Sequence, residues 1–269
     1  MELRGRVALV TGASSGIGAA VGRRLGREGL RVALAARRVD RLDELAAEIT
    51  QAGGEARAFP ADLAREEERE RLVRGVLASW GAIDILVNNA GVGWYGFGCE
   101  MPWPRAREML EVNTAATVHL SLQVLPEMKR RGRGHIVNIG SIAGDIPSQG
   151  VALYCATKSF LEAFATALHR ELRGTGVRVS VLKPGPVATE FFERSSAPGL
   201  RMPTERFAVP PERVAESVWH LLHHPRRVVY VPGWYRIVPW VELSFGWIMD
   251  RLGPLLLERQ ARVGAITRF

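Results

Sequence analysis

Arg6-Val7-Ala8-Leu9-Val10-Thr11-Gly12-Ala13-Ser14-Ser15-Gly16-Ile17-Gly18 joins a short apolar run to a glycine-rich turn. A nearly continuous apolar run of this length reads as a parallel strand covered on both faces. The turn carries Gly12, Ser14, Ser15, Gly16, Ile17 and Gly18, and a helix rich in small residues follows. Glycine there lets the backbone turn sharply and approach a pyrophosphate, which then sits on amide N–H groups at the positive helix end. The spacing is not G-x-G-x-x-G, because three residues separate Gly12 from Gly16. Many strand-to-helix turns carry two glycines; its place after the first strand of a βαβ unit gives this one weight.

From that unit outward, short β-branched runs alternate with longer helical patterns. Strands are expected over 6–11, 31–36, 56–60, 83–88, 134–140, 177–183 and 228–232. Helical patterns cover 19–28, 41–52, 65–80, 105–130 and 159–173. Strands joined by helical crossovers make a Rossmann-type α/β fold, a doubly wound parallel sheet with helices on both faces. No linker, repeat or low-complexity stretch divides the chain, so one nucleotide-binding domain is expected over 1–269. Its core would run from about 3 to 232, with an apolar and aromatic extension over 233–269.

The 269 residues are 47% hydrophobic and 24% charged, as in an ordinary soluble globular protein. Cys99 and Cys155 resemble no disulfide or metal framework, so free thiols in a reducing cytoplasm are expected. The apolar part, Val7 to Val10, is too short for a signal-peptide core. Net charge is +8, but only three of the 36 basic residues are lysine and the arginines are scattered. That pattern is composition, not a nucleic-acid footprint.

The second strand ends Ala35-Ala36-Arg37-Arg38, with no acid until Asp40. An acid at this strand end would hold a ribose 2′-hydroxyl, whereas arginine accommodates a 2′-phosphate. The missing repulsion at Ala36 and the guanidinium at Arg37 therefore favour NADP(H), with Arg38 a further cofactor contact and NAD(H) still admissible; a solvated Arg-Arg pair is the bland alternative. Tyr154 and Lys158 stand four residues apart, one turn along one helix face. A cation beside a phenol stabilises the phenolate. By itself such a pair is more often surface than catalytic. Ser141 closes the fifth strand, Asn88-Asn89-Ala90-Gly91 closes the fourth, and Asn113 sits inside a helical stretch that asparagine disfavours. C-terminal strand ends are where open α/β sheets bind ligands.

With these residues in place the chain resembles the short-chain dehydrogenase/reductase family, in its single-domain branch, from about Leu3 to Pro232. The motifs occur in family order: the turn at 11–18, Asp62-Leu63, Asn88 to Gly91, Asn113, Ser141, Tyr154 with Lys158, then Pro184-Gly185 and Thr189. The resemblance implies that Tyr154 is the general acid in carbonyl reduction and the general base in alcohol oxidation. It implies that Ser141 binds the substrate oxygen. Lys158 would hold the nicotinamide ribose and lower the Tyr154 pKa, and Asn113 would hold its helix open around a relay water. Asp62 and Leu63 would lie at the adenine, Asn89, Ala90 and Gly91 along the cofactor, and Pro184, Gly185, Val187 and Thr189 towards the carboxamide.

The function implied is an NADP(H)-dependent oxidoreductase interconverting a carbonyl and a secondary alcohol. The rivals are a nucleotide-sensing protein without turnover and a membrane-peripheral reductase of lipid or fatty-acyl substrates. An intact Ser141, Tyr154, Lys158 and Asn113 set argues against the sensor. Loops 92–101, 142–153 and 191–209 should choose the substrate; their aromatic and aliphatic content favours an apolar one. His220, His223 and His224 lack an accompanying carboxylate or thiol at ligand spacing, so no metal is expected. The resemblance also implies a homo-oligomer, dimer or tetramer. Trp234, Tyr235, Trp240, Phe245 and Trp247 make the extension a subunit contact, a pocket lid, a peripheral membrane contact or plain core.

Overall fold

The computed structural model describes residues 3–197, 200, 207–248, 250 and 251. Seven parallel strands are ordered β3-β2-β1-β4-β5-β6-β7. They are β1 (Val7–Thr11), β2 (Arg31–Ala36), β3 (Glu55–Pro60), β4 (Ile85–Asn88), β5 (Gly134–Ile139), β6 (Val177–Pro184) and β7 (Val228–Val231). The strands fall within two residues of expectation at either end.

Strand side chains alternate between faces. Val7 and Leu9 of β1 pack towards α3 (Glu66–Trp80), α5 (Ala116–Arg130) and α6 (Ala152–Glu171). Ala8 and Val10 pack towards α1 (Gly16–Arg27), α2 (Val39–Gln51) and α8 (Pro211–His223). Both faces of β1 are thus in core, which is why the run contains no polar alternation. Complete burial of one such Leu or Val contributes about 1.5–3 kcal/mol relative to exposure.

Two helices differ from expectation, and both differences bear on the site. The pattern over 105–130 forms α4 (Trp103–Leu110), a π-helical turn (Glu111–Ala115) and then α5. The π turn holds Asn113. The helix expected to begin at 159 is α6, which begins seven residues earlier at Ala152. No proline or glycine lies between Val151 and Glu171, so nothing prevents the earlier start. Tyr154 and Lys158 consequently occupy its first two turns. A short α7 (Phe191–Ser195) follows Thr189.

After β7 the chain makes a tight helical turn (Gly233–Ile237) and is helical again over 238–248. Val238 is buried, and the Tyr235 ring lies so close over Gly185 that a side chain there would reach within 2.3 Å of it. The rest of this segment is largely bare: Trp240 is 70% exposed and Leu243 82%. Among the described residues no helix is long and apolar enough to cross a membrane.

Candidate active site

The sheet order reverses between β1 and β4, and a cavity of about 860 Å³ opens along the C-terminal strand ends. One end is walled by Gly12, Ser14, Ser15, Gly16, Ile17, Arg37 and Arg38. Asp62, Leu63, Asn89, Ala90 and Gly91 also line it, as does Thr189, which lies against Gly16, and Ser141, Tyr154, Lys158, Pro184, Gly185 and Val187 line the far end. Of the expected site residues, only Gly18 and Asn113 lie behind this wall.

Gly12 has φ +65°, and a Cβ there would stand 2.8 Å from the Ala90 Cα. Gly18 has no room for a side chain either, since a Cβ would meet the Gly12 carbonyl oxygen at 2.3 Å. Gly18 thus packs the turn instead of facing the cavity. The Thr11 hydroxyl donates to the Val87 carbonyl (3.2 Å) and accepts from the Asn89 and Ala90 amides (2.9 and 3.1 Å). Asn89 Nδ2 returns the bond to the Thr11 carbonyl (2.8 Å). These contacts lock the ends of β1 and β4 side by side. The start of α1 has no acidic residue in its first turn and no side chain capping it from Ser15. Its positive end is therefore presented uncompensated to the cavity, which fits a dinucleotide pyrophosphate.

The two arginines at the end of β2 divide the work differently from expectation. Arg37 lines the cavity too, but it pairs with Glu108 (3.0 Å) and its side chain is 57% exposed. Arg38 lies across the turn, donating to Ser14 Oγ (3.1 Å), Ser15 Oγ (2.6 Å) and Glu190 Oε2 (2.8 Å). Of the two, Arg38 is the one that bonds the side chains of the turn.

At the far end, a hydrogen bond joins the Ser141 and Tyr154 side chains. The Ser141 hydroxyl also accepts from the Ala143 amide (3.1 Å), fixing the turn after β5. Lys158 Nζ donates to the Ile139 carbonyl (2.9 Å) and stands 5.7 Å from the Tyr154 ring centroid. Burial pushes Lys158 down to about 8. Burial pushes Tyr154 up to about 12, with the Ser141 bond acting the other way. In the protein alone the phenol is thus firmly protonated, the state a proton donor requires.

Asn113 joins elements instead of lining the cavity. Its Oδ1 accepts from the Val92 amide (2.9 Å), and its Nδ2 donates to the Val92 carbonyl (2.9 Å) and to Thr157 Oγ1 (3.1 Å). Thr157 in turn donates to the Tyr154 carbonyl (2.8 Å). The helix is opened here as a π turn, a feature concentrated at functional sites.

All three loops expected to choose the substrate reach the cavity. Tyr95, Ile146, Val151, Phe191 and Phe192 supply apolar surface, and the Tyr154 and Phe191 rings lie 5.4 Å apart. Residues 198, 199 and 201–206 of the third loop lie outside the described residues. Polar groups join this wall as well: Arg105, Ser148, Gln149, Arg194 and Ser195. Arg105 went unsignalled because an arginine at a helix start after proline reads as a solvated charge. Here its guanidinium holds the Gly93 carbonyl (2.7 Å) and Glu108 (2.8 Å). Among the described residues of 233–248, none lines the cavity.

This constellation has counterparts in known proteins. Residues 6–198 match the short chain dehydrogenase family, and the chain belongs to it. Over 229 residues it is 40% identical to the 1-deoxy-11-beta-hydroxypentalenate dehydrogenase of Streptomyces exfoliatus, covering 84% of this chain and 82% of that one. Another relative, the glycine betaine reductase ATRR of Emericella nidulans, is 36% identical over 84% of this chain, which spans only 18% of that protein's length. Among solved structures, a short-chain dehydrogenase from Sphingobium yanoikuyae in complex with NADPH superposes with a TM-score of 0.77 at 30% identity. That likeness covers 98% of this chain and 96% of the other. The chain is thus an oxidoreductase of a family acting on hydroxyl and carbonyl groups.

Proposed function

We propose that the protein interconverts a carbonyl and a secondary alcohol, with NADP(H) preferred and NAD(H) admissible, on a substrate whose body is largely apolar. One observation carries this reading. Ser141, Tyr154 and Lys158 meet at one end of a single cavity whose other end is the glycine turn under Arg38. A bound nicotinamide cofactor supplies or accepts the hydride. Its pyrophosphate would rest on the amides of Ser15, Gly16 and Ile17, its 2′-phosphate at Arg38, its adenine near Asp62 and Leu63, and its ribose hydroxyls at Lys158. Asn89 to Gly91 and Pro184 to Thr189 would flank it. Ser141 orients the substrate oxygen, and Tyr154 gives that oxygen its proton in reduction or takes it in oxidation. Lys158, next to the phenol, favours its charged form while the proton is away.

The deciding measurement follows NADPH absorbance, with NADH in parallel, against a panel of aliphatic, cyclic and fatty-acyl carbonyl compounds. Turnover with NADPH favoured is the expected result. Tight NADPH binding with no turnover across the panel would instead support a sensing protein.

A partner is proposed on a separate observation. Trp234, Ile237, Trp240, Leu243, Phe245 and Trp247 are each more than half exposed. An apolar patch this concentrated is unusual on a monomer. We assign it to contact with a second copy of the chain, as a homo-oligomer. Because Tyr235 and Val238 are packed into the body, truncation would damage the core, and surface substitutions are the cleaner probe. A Trp240→Ser, Leu243→Ser, Trp247→Ser variant should keep its melting temperature but fall to monomer mass in light scattering. Unchanged mass, with loss of co-sedimentation on anionic vesicles, would move the assignment to a membrane surface.

A further inference from the structure

Lys183 lies behind the site wall, only 1% exposed, as the penultimate residue of β6, next to Pro184. Its ammonium donates to Asp145 Oδ1 (2.5 Å) and to Glu162, and stands 5.3 Å from the Tyr230 ring centroid of β7. Asp145 ends the tight turn that begins at Ser141: its amide donates to the Ile142 carbonyl (2.9 Å), and the Gly144 amide to the Ser141 carbonyl (3.2 Å). Glu162 follows Lys158 by one turn on the same face of α6. The Ser159 hydroxyl adds a second stitch, donating to the Gly144 carbonyl (2.6 Å).

A buried ammonium is costly unless it is paired and hydrogen-bonded, and here it has two carboxylates. Burial alone would lower the Lys183 pKa, but the bonds to Asp145 and Glu162 outweigh it and raise the pKa, so the group stays charged. The choice of residue is informative in itself. The chain has three lysines among 36 basic residues, and Lys158 and Lys183 are both buried. An ammonium is a compact point charge able to bond in several directions from a closed space, whereas a guanidinium is a broad planar fork.

We propose that Lys183 is a positioning residue: with Asp145 and Glu162 it braces the Ser141 turn and α6 against the end of β6, fixing Ser141, Tyr154 and Lys158 relative to one another. Three walls of the cavity meet at this one ammonium, and small misplacements of reacting groups cost large factors in rate. The proposal rests on the oxidoreductase reading only for its kinetic consequence.

Lys183→Met would strand the largely buried Asp145 carboxylate and endanger folding, so the test uses Asp145→Asn, which keeps size and an acceptor oxygen. Glu162→Gln serves as the more solvent-exposed comparison. The first readout, hydrogen exchange of backbone amides in the full-length protein, needs no substrate. Exchange over 141–146 and 154–162 should rise about 10-fold or more in Asp145→Asn, less in Glu162→Gln, with 12–18 unchanged. With a carbonyl that the wild type turns over, kcat should fall about 10-fold or more while KM for NADPH stays within about 2-fold. Unchanged exchange would overturn the brace. So would a uniform rise across the chain with a lowered melting temperature, or an unchanged kcat. A wild type without turnover would instead overturn the oxidoreductase reading, and the exchange result would still decide the brace.

Discussion

Tyr154→Phe should lower kcat for carbonyl reduction by at least about 10²-fold while leaving NADPH affinity nearly unchanged. The substitution removes one hydroxyl from a ring that keeps its contact with Phe191, so the wall of the cavity is preserved. What disappears is the group able to protonate the substrate oxygen as hydride arrives. Ser141 cannot take over easily, since an aliphatic hydroxyl is a far weaker acid than a phenol. The loss belongs to the transition state, so kcat and kcat/KM should fall together. Stopped-flow turnover and fluorescence titration of NADPH separate the two effects. A variant that retains wild-type kcat would sink the assignment of Tyr154 as proton donor.

Much of this site is legible in the sequence because its elements are local. The strand and turn at 7–18 combine a continuous apolar run with glycines in fixed positions, and both signals arise within a dozen residues. The position of Ser141 follows in the same way from where an apolar run stops. Tyr154 and Lys158 are read as one helix face even though the expected helix began at 159. What the sequence hides are the long-range partners. Nothing local says that Arg38 and not Arg37 bonds the side chains of the turn. The Lys183 cluster joins Lys183 to partners 21 and 38 residues away on different elements, so no periodicity announces it. Asn113 is conspicuous as a poor helix former, but the bonds that occupy it reach back 21 residues to Val92. The apolar content of the substrate loops is visible, whereas Arg105 and Arg194 look like surface charge until the fold brings them to the wall.

Arg38→Ala should weaken NADPH about 10- to 100-fold and leave NADH little changed, the yield of about 1.5–3 kcal/mol from one charge-assisted hydrogen bond. The geometry makes this a sharper expectation than one placed on Arg37. Arg38 already spans Ser14 and Ser15 with two of its nitrogens, so its guanidinium is held over the turn where the adenosine end of the cofactor would lie. Its third bond goes to Glu190, an ion pair with partly exposed side chains that a phosphate can displace at modest cost. Arg37 is engaged with Glu108 and mostly exposed, so Arg37→Ala should cost NADPH only a few-fold. Adding Ala36→Asp to Arg38→Ala supplies what β2 lacks, a carboxylate able to accept from a ribose 2′-hydroxyl and to repel a 2′-phosphate. Ala36 lines the cavity, so the new side chain has open space to enter. The double variant should therefore reverse the ratio of kcat/KM for NADPH and NADH in favour of NADH. A wild type that already prefers NADH, or a double variant that keeps the NADPH preference, would show that this strand end does not set cofactor choice.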